Sequence, residues 1–213
     1  MTLNLKTSTA TIEHSIKLAS GTVIPSYDLK YETYGKLNED KSNAVLICHA
    51  LSGNHHAAGK YDDEDKHGWW NNMIGPGKPI DTDSLYVVCL NNIGGCHGST
   101  GPNTKDKKTG KYFGMSFPIV TVSDWVNTQK SLMDYLKIPK WNFVIGGSLG
   151  GMQAMQWAFQ FPTFVDNCII IAAAPKLTAQ NIAFNEVARQ AIMKDPNWCG
   201  GDYLNQNKLP DKG

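Results

Sequence analysis

The chain has 213 residues, enough for one domain with a sizeable core, or for one domain and part of another. Hydrophobic residues make up 41% and charged residues 18%, which is ordinary for a globular protein, and 10% aromatic content argues against disorder. The formal net charge of +1 comes from scattered charges, so it gives no electrostatic reason to expect a nucleic acid or an anionic membrane as partner.

The compartment is constrained by three further features of the sequence. The N-terminus lacks the basic-then-apolar order of a signal peptide, and no apolar run reaches membrane-spanning length. Five cysteines without a CxxC pair favour free thiols over disulfides, with Cys48, Cys89 and Cys168 buried in apolar runs. A soluble cytoplasmic protein is therefore expected, with the acidic cluster at 62–66 as a solvated loop.

The start of the chain predicts an antiparallel hairpin, because "STATIEHSIKLASG" and "VIPSYDLKYETYG" alternate apolar and polar residues. Four short, continuous apolar runs follow, and such runs are typical of strands buried on both faces of a parallel sheet. They are "NAVLICHA" (43–50), "SLYVVCLN" (84–91), "NFVIGG" (142–147) and "NCIIIAAA" (167–174).

The clearest predicted helix follows Thr121, which is expected to cap it, with Asp124 three residues later at the positive end of the helix dipole. Pro139 prevents its continuation. Its apolar face comprises Val122, Trp125, Val126, Leu132, Met133 and Leu136.

Two more helices are predicted further along the chain. One begins at Ser148 and ends near Pro162, with its apolar stripe of Met152, Met155 and Phe159 facing inward. The other lies between Pro175 and Pro196 and carries four apolar residues at helical spacing. These are Ile182, Val187, Ile192 and Met193.

Alternating strands and helices with short connections predict an α/β fold with a mostly parallel, doubly wound sheet preceded by an antiparallel hairpin. Residues 1–175 are expected to form an incomplete core, and residues 176–213 the start of a helical lid domain. A sheet that has sent out a helical excursion would normally return to its last strands, so we expect the fold to be truncated before them.

The run "GGSLGG" contains G-x-S-x-G, a pattern that is weak on its own and informative only between a buried strand and a helix. That context predicts a sharp turn exposing Ser148 as a nucleophile, with Gly146 and Gly150 avoiding side-chain crowding. A phosphate-binding loop is the alternative, but the Lys-Ser/Thr ending of a P-loop is absent.

A serine nucleophile also requires an oxyanion hole. The segment "HALSGNHHAAG" (49–59) directly follows a predicted strand, where one half of the hole is expected. The backbone N–H groups of Leu51 and Leu149 are the predicted donors.

The activating base is harder to find. In this arrangement a carboxylate and then a histidine follow the serine, yet all histidines precede it. They are His14, His49, His55, His56, His67 and His97.

The polar residues near the predicted site have other interpretations. His49 is expected to be a structural hydrogen-bonding residue, and adjacent His55 and His56 to lie in a solvated loop instead of binding a metal. Asp166 at a strand entry and Asp195 at a helix end are not convincing orienting acids.

Together these segments make the chain resemble the homoserine O-acetyltransferases of the α/β-hydrolase superfamily over nearly its whole length. The matching stretches are "HALSG", "GWW", "IGPGKPIDT", "GGCHGSTGP", "GGSLGGMQAMQWA", "LTAQNIAFNEVARQAI", "DPNW" and "GGDY".

The resemblance implies a ping-pong reaction in methionine biosynthesis, in which Ser148 takes an acetyl group from acetyl-CoA and passes it to L-homoserine. It implies Leu51 and Leu149 as oxyanion donors, with leucine at 149 where family members often have methionine. It further implies no bound cofactor or metal, with acetyl-CoA as a substrate, and a homodimer at full length.

The same resemblance implies that the catalytic aspartate and histidine come from later strands absent from this chain. We therefore expect the 213-residue polypeptide to be inactive alone and marginally soluble, with a hydrophobic sheet edge exposed. Three alternatives stay open: a homoserine O-succinyltransferase, a serine ester hydrolase of the same fold, and a non-catalytic truncated product.

Overall fold

The computed structural model describes residues 3–61 and 66–211, so the acidic cluster predicted as a solvated loop lies, apart from Lys66, outside the described residues. The strands are β1 (Leu5–Ile12), β2 (Ile16–Lys17), β3 (Val23–Ile24), β4 (Tyr27–Tyr34), β5 (Ala44–Cys48), β6 (Ile74–Gly75), β7 (Ile80–Asp81), β8 (Tyr86–Leu90), β9 (Trp141–Gly147) and β10 (Val165–Ile171). The α-helices are α1 (Val122–Tyr135), α2 (Leu149–Gln160) and α3 (Ala179–Met193).

Six strands form the main sheet in the order β1-β4-β8-β5-β9-β10. Strands β8, β5, β9 and β10 run parallel to one another, whereas β4 pairs antiparallel with both β1 and β8. The predicted α/β fold with an N-terminal antiparallel element is confirmed. The nearby short strands β2 and β3 form a small hairpin of their own.

The centre of the sheet is buried on both faces, as its continuous apolar runs predict. All five residues of β5 are buried, and alternate side chains point to opposite faces. Leu46 and Val144 pack on the face that α1 and α2 cover, whereas Val45 and Ile47 pack against residues 57–58 and 73–80.

Helix α1 has the predicted N-terminus. The Thr121 side chain accepts a hydrogen bond from the Asp124 N–H, and the Asp124 carboxylate accepts one from the Thr121 N–H. This reciprocal capping box confirms the prediction for Thr121 and Asp124. On the helix's inward face, Val126, Leu132 and Met133 are fully buried.

The predicted inward face of α2 is wrong. Phe159 is 84% exposed, and Met152 and Met155 are only partly buried. The buried residues are Gly150, Gly151, Gln153, Ala154 and Trp157. Glycines allow α2 to approach the sheet closely, and the amide of Gln153 is buried because it is fully hydrogen-bonded, so hydrophobicity alone selects the wrong stripe.

The far end of the sheet differs from its centre. Among the described residues β10 pairs only with β9, and Ile169, Ile170 and Ile171 are 41–43% exposed. Helix α3 has no buried residue. The predicted exposed hydrophobic edge is confirmed. Within the described ranges, no helix is both long and apolar enough to cross a membrane.

Candidate active site

Ser148 stands between the end of β9 and the start of α2 with a left-handed backbone, φ 54° and ψ −121°. Few non-glycine residues adopt a positive φ, and such strain persists only where surrounding contacts enforce it. The Ser148 N–H donates to the Ile171 carbonyl at 2.9 Å, which ties the turn to β10. The serine side chain is thereby left exposed at the carboxyl edge of the sheet.

Two glycines allow the backbone around this turn to pack tightly. A Cβ atom on Gly146 would lie 2.1 Å from the Gly150 carbonyl oxygen, and one on Gly150 would lie 2.0 Å from the Cys48 carbonyl oxygen. Both distances are too short for any side chain, so the two positions require glycine. The second contact also brings the start of α2 against the end of β5.

The loop after β5 therefore lies beside the serine turn. Leu51 is 78% exposed in this loop, and Leu149 occupies the first turn of α2. Within the described part of the chain, neither N–H has a protein acceptor. Free N–H groups are what an oxyanion hole requires, and the first turn of a helix leaves such groups unpaired. The donor roles of Leu51 and Leu149 stay predictions.

His49 is held by hydrogen bonds on both ring nitrogens. Its Nδ1 lies 2.8 Å from the Ala50 carbonyl oxygen, and its Nε2 lies 3.3 Å from the Asn92 N–H donor. The second contact requires a neutral ring that carries its proton on Nδ1. Burial lowers the pKa of His49, which favours the same neutral form. His49 is thus a structural residue, as the sequence predicts.

His55 and His56 do not lie in a solvated loop, and that prediction is wrong. His55 is 8% exposed, and the His56 Nδ1 lies 3.0 Å from a carboxylate oxygen of fully buried Glu32. Tyr34 donates to the same carboxylate at 2.5 Å, and Tyr61 and Thr7 also bond to it. A buried carboxylate requires several hydrogen-bond donors, and these side chains provide them.

The Glu32 cluster also fixes the loop after β5. The Tyr34 hydroxyl accepts the N–H groups of Ala57 and Ala58 at 2.8 and 3.1 Å. Burial raises the pKa of Tyr34, and it lowers the pKa of His55 to about 4. Sequence reasoning missed Glu32 because a single acid in an alternating strand gives no sign that it points inward.

A second buried polar network was also missed. Gln129 on α1 and Gln153 on α2 bond to each other at 2.6 Å, and both bond to Asn92 at 3.0 Å. Trp157 donates to Gln129 at 2.6 Å. Gln129 and Gln153 are fully buried, in helices whose sequences mark them only as polar positions.

An open cavity of about 240 Å³ adjoins the free N–H groups. Its walls are the loop at 49–53, the loop at 91–97, Trp125 and Leu149. Exposed Cys96 lies in this wall with its sulfur 3.4 Å from the His97 Nδ1. Bulky and polar side chains thus line the space beside the predicted oxyanion hole.

No histidine or carboxylate bonds to the Ser148 hydroxyl within the described residues. Asp166 pairs with Lys140 at the start of β10, the opposite end from the serine turn. Asp195 accepts the Asn197 N–H at 2.7 Å in a turn after α3. Neither acid is brought to the serine. The part of the chain that the structure describes also contains no cluster of three or more His, Cys, Asp or Glu suited to a metal ion.

The strained serine turn, the flanking glycines and the parallel sheet define a class of protein. Residues 43–212 match the α/β-hydrolase fold family, and the chain belongs to that family. Its match begins just before β5 and includes the serine turn and α3.

Relatives with similar sequences have a more specific name. The chain is 60% identical over 206 residues to a homoserine O-succinyltransferase of Pseudomonas syringae pv. tomato, covering 96% of this chain and 54% of that protein. It is also 60% identical over 205 residues to the homoserine O-succinyltransferase of Nitrosospira multiformis, with the same coverage. The chain therefore spans about half the length of these curated relatives.

Solved structures give two further names. A homoserine O-acetyltransferase from Bacillus anthracis is 35% identical, with a TM-score of 0.89, covering 98% of this chain and 57% of that one. Esterase E22 is 36% identical, also with a TM-score of 0.89, covering 98% of this chain and 58% of that one.

Proposed function

We propose that this chain provides the nucleophile and oxyanion hole of a homoserine O-acyltransferase. The observation that carries the proposal is the strained Ser148 turn beside two free N–H groups, those of Leu51 and Leu149. The names of the relatives at 60% identity support homoserine as the acyl acceptor.

In the proposed reaction the Ser148 hydroxyl attacks the thioester carbonyl of an acyl-CoA. The two N–H groups stabilise the negative charge that develops on the carbonyl oxygen, and CoA leaves as its thiol. The side-chain hydroxyl of L-homoserine then attacks the acyl-serine, forms the O-acyl ester and regenerates Ser148. Each step requires a general base, whose proton is returned to the leaving group.

The acyl donor favoured by these names differs from the first expectation. The resemblance implied acetyl-CoA, whereas the names of the relatives at 60% identity favour succinyl-CoA. The acetyltransferase is less similar, at 35% identity. We therefore propose succinyl-CoA as the donor, with acetyl-CoA as the competing one.

We also propose that the base and its orienting carboxylate lie on a segment that packs beside β10. Within the described residues, none of the histidines bonds to Ser148, and the free edge of β10 exposes three isoleucines. Residues 176–213 would then begin a helical cover over the site, and the predicted homodimer would belong to the complete assembly.

The test uses a fused enzyme, defined as residues 1–213 followed by the C-terminal remainder of the Pseudomonas syringae relative. We expect it to transfer succinyl from succinyl-CoA to L-homoserine faster than it transfers acetyl. Ser148→Ala should lower kcat by about 10⁴ to 10⁶, because the nucleophile is lost. The 213-residue chain alone should show no transfer.

The competing outcomes are equally definite. Transfer at normal rates by the 213-residue chain alone would contradict the need for a second segment. A Ser148→Ala enzyme that keeps its activity would remove the serine from the mechanism. Faster acetyl transfer would restore acetyl-CoA as donor.

A serine ester hydrolase is the second candidate, because esterase E22 is 36% identical and superimposes with a TM-score of 0.89. Both reactions use the same acyl-serine and differ in the acceptor. If the acyl-serine of the fused enzyme is released no faster with homoserine than with water alone, hydrolysis is the better description.

A further inference from the structure

The two halves of the predicted oxyanion hole come from distant parts of the sequence, and one buried side chain connects them. The Gln153 Nε2 donates to the His49 carbonyl at 3.1 Å, at the start of the loop that carries Leu51. The same nitrogen donates to the Leu149 carbonyl at 3.2 Å. The two N–H bonds of one amide thus join both halves.

The orientation of this amide is fixed by its other side. The Gln153 Oε1 accepts from the Asn92 Nδ2 at 3.0 Å and from the Gln129 Nε2 at 2.6 Å. Rotating the amide by half a turn would point Oε1 at two carbonyl oxygens and the NH₂ group at two donors. Every hydrogen-bonding position of the amide is therefore used in one orientation only. Gln153 is also completely buried, so water does not compete for these bonds.

The contact matters because an oxyanion hole works only at fixed geometry. Both donors must lie about 2.7–3.1 Å from the developing oxyanion. The loop that carries Leu51 is exposed at its tip and needs an anchor at its base. A misplacement of about 1 Å in such a site costs on the order of 10² in rate.

We propose that Gln153 is a positioning residue that sets the separation of the Leu51 and Leu149 N–H groups. The effect of Gln153 on the rate rests on the proposed acyl transfer, whereas its effect on the loop that carries Leu51 is independent of that function. Gln153 does not touch the substrate in this proposal and acts through the backbone of His49 and Leu149.

The first test measures kinetics in the fused enzyme. Gln153→Met keeps the volume and removes all four hydrogen bonds, and Gln153→Glu keeps the oxygen that faces Asn92 and Gln129 but removes the NH₂ group. Both should lower kcat by about 10- to 100-fold while the KM values change less than about twofold, because geometry in the transition state is lost.

Two matched variants separate positioning from general damage. Gln129→Met breaks the bonds to Asn92, Gln153 and Trp157 but leaves the two carbonyl contacts of Gln153 in place. Gln156→Met changes the same residue type one turn along α2, where the side chain bonds to Gln160. Gln156→Met should leave kcat unchanged. Gln129→Met should lower the melting temperature, but it should lower kcat less than the Gln153 variants do.

The second test does not depend on acyl transfer. In the 213-residue chain, backbone order parameters of Ala50, Leu51 and Ser52 should fall from about 0.85 to below about 0.6 in Gln153→Met, and stay high in Gln129→Met. Unchanged order parameters in both Gln153 variants, or a kcat loss no larger than that of Gln129→Met, would overturn the inference. A folded but inactive fused enzyme would instead refute the proposed function, and the order parameters would still decide the role of Gln153.

Discussion

The serine side of this molecule, formed by β9 and α2, and its β10–α3 side contain similar elements but differ in how far their residues are buried. Strand β9 and helix α2 bury Trp141, Val144 and Trp157 completely, and the Trp157 indole N–H donates a hydrogen bond to Gln129. Strand β10 buries only Val165, and helix α3 buries nothing. Both regions nevertheless have regular secondary structure, and α3 has a complete capping box at Thr178.

The difference shows what each kind of sequence signal controls. Caps and periodicity are local signals, so they favour a helix at α3 although none of its residues is buried. Burial depends on a second surface, and Ile182, Phe184 and Val187 are 57–66% exposed because the described residues provide none. An apolar area of this kind marks an interaction surface. The serine side is therefore where the chemistry is proposed to occur, and the β10–α3 side is where a further segment is proposed to pack.

Crowding the backbone of the serine turn should have the largest effect on stability. Gly146→Ala puts a Cβ atom 2.1 Å from the Gly150 carbonyl oxygen and should lower the free energy of unfolding by about 3 kcal/mol, because backbone must move. The control is Gly147→Ala, whose Cβ atom would be 3.9 Å from its nearest neighbour. Urea denaturation of the 213-residue chain measures both. Equal losses in the two variants would contradict this view of the turn.

The buried Glu32 cluster gives the next largest effect, through pH. Burial holds the pKa of His55 at about 4, although neighbouring Glu32 favours the charged form and Lys30 opposes it. As the pH falls, His55 therefore takes up a proton near pH 6.5 in the unfolded chain but only near pH 4 in the folded chain. The contribution of neutral His55 to stability is fully present above pH 6.5, and the free energy of unfolding should fall by about 1 to 2 kcal/mol between pH 7 and pH 5.

Denaturation curves at several pH values test this prediction. His55→Gln should remove most of the dependence, and the same substitution at exposed His67 should leave it intact. Burial also lowers the pKa of His49, so a smaller dependence of the same sign should remain. A His55→Gln variant with the full pH dependence would place the titrating group elsewhere.

The sequence was most informative where the chemistry is local and least informative where it depends on tertiary contacts. The positions of the central strands could be anticipated from apolar runs, and the serine turn from its glycines. The inward face of α2 could not, because Gln153 is buried by bonds to His49, Leu149, Asn92 and Gln129 that lie far away in sequence. The cluster around Glu32 was missed for the same reason, since its partners come from three separate segments.

The smallest predicted effect tests the β10–α3 side. Val187→Ser on α3 should change the free energy of unfolding by no more than about 0.5 kcal/mol, because Val187 is already 66% exposed and loses almost no buried area. Val126→Ser on α1 should cost about 3 kcal/mol, because Val126 is fully buried and the hydroxyl would replace apolar contacts. In light scattering, Val187→Ser should also reduce self-association of the 213-residue chain, since it removes part of an exposed apolar surface.

In the fused enzyme, where we expect that surface to be covered, the same substitution should become destabilising. A Val187→Ser chain that unfolds as easily as Val126→Ser would mean that α3 already packs against the core, and the contrast between the two sides would be lost.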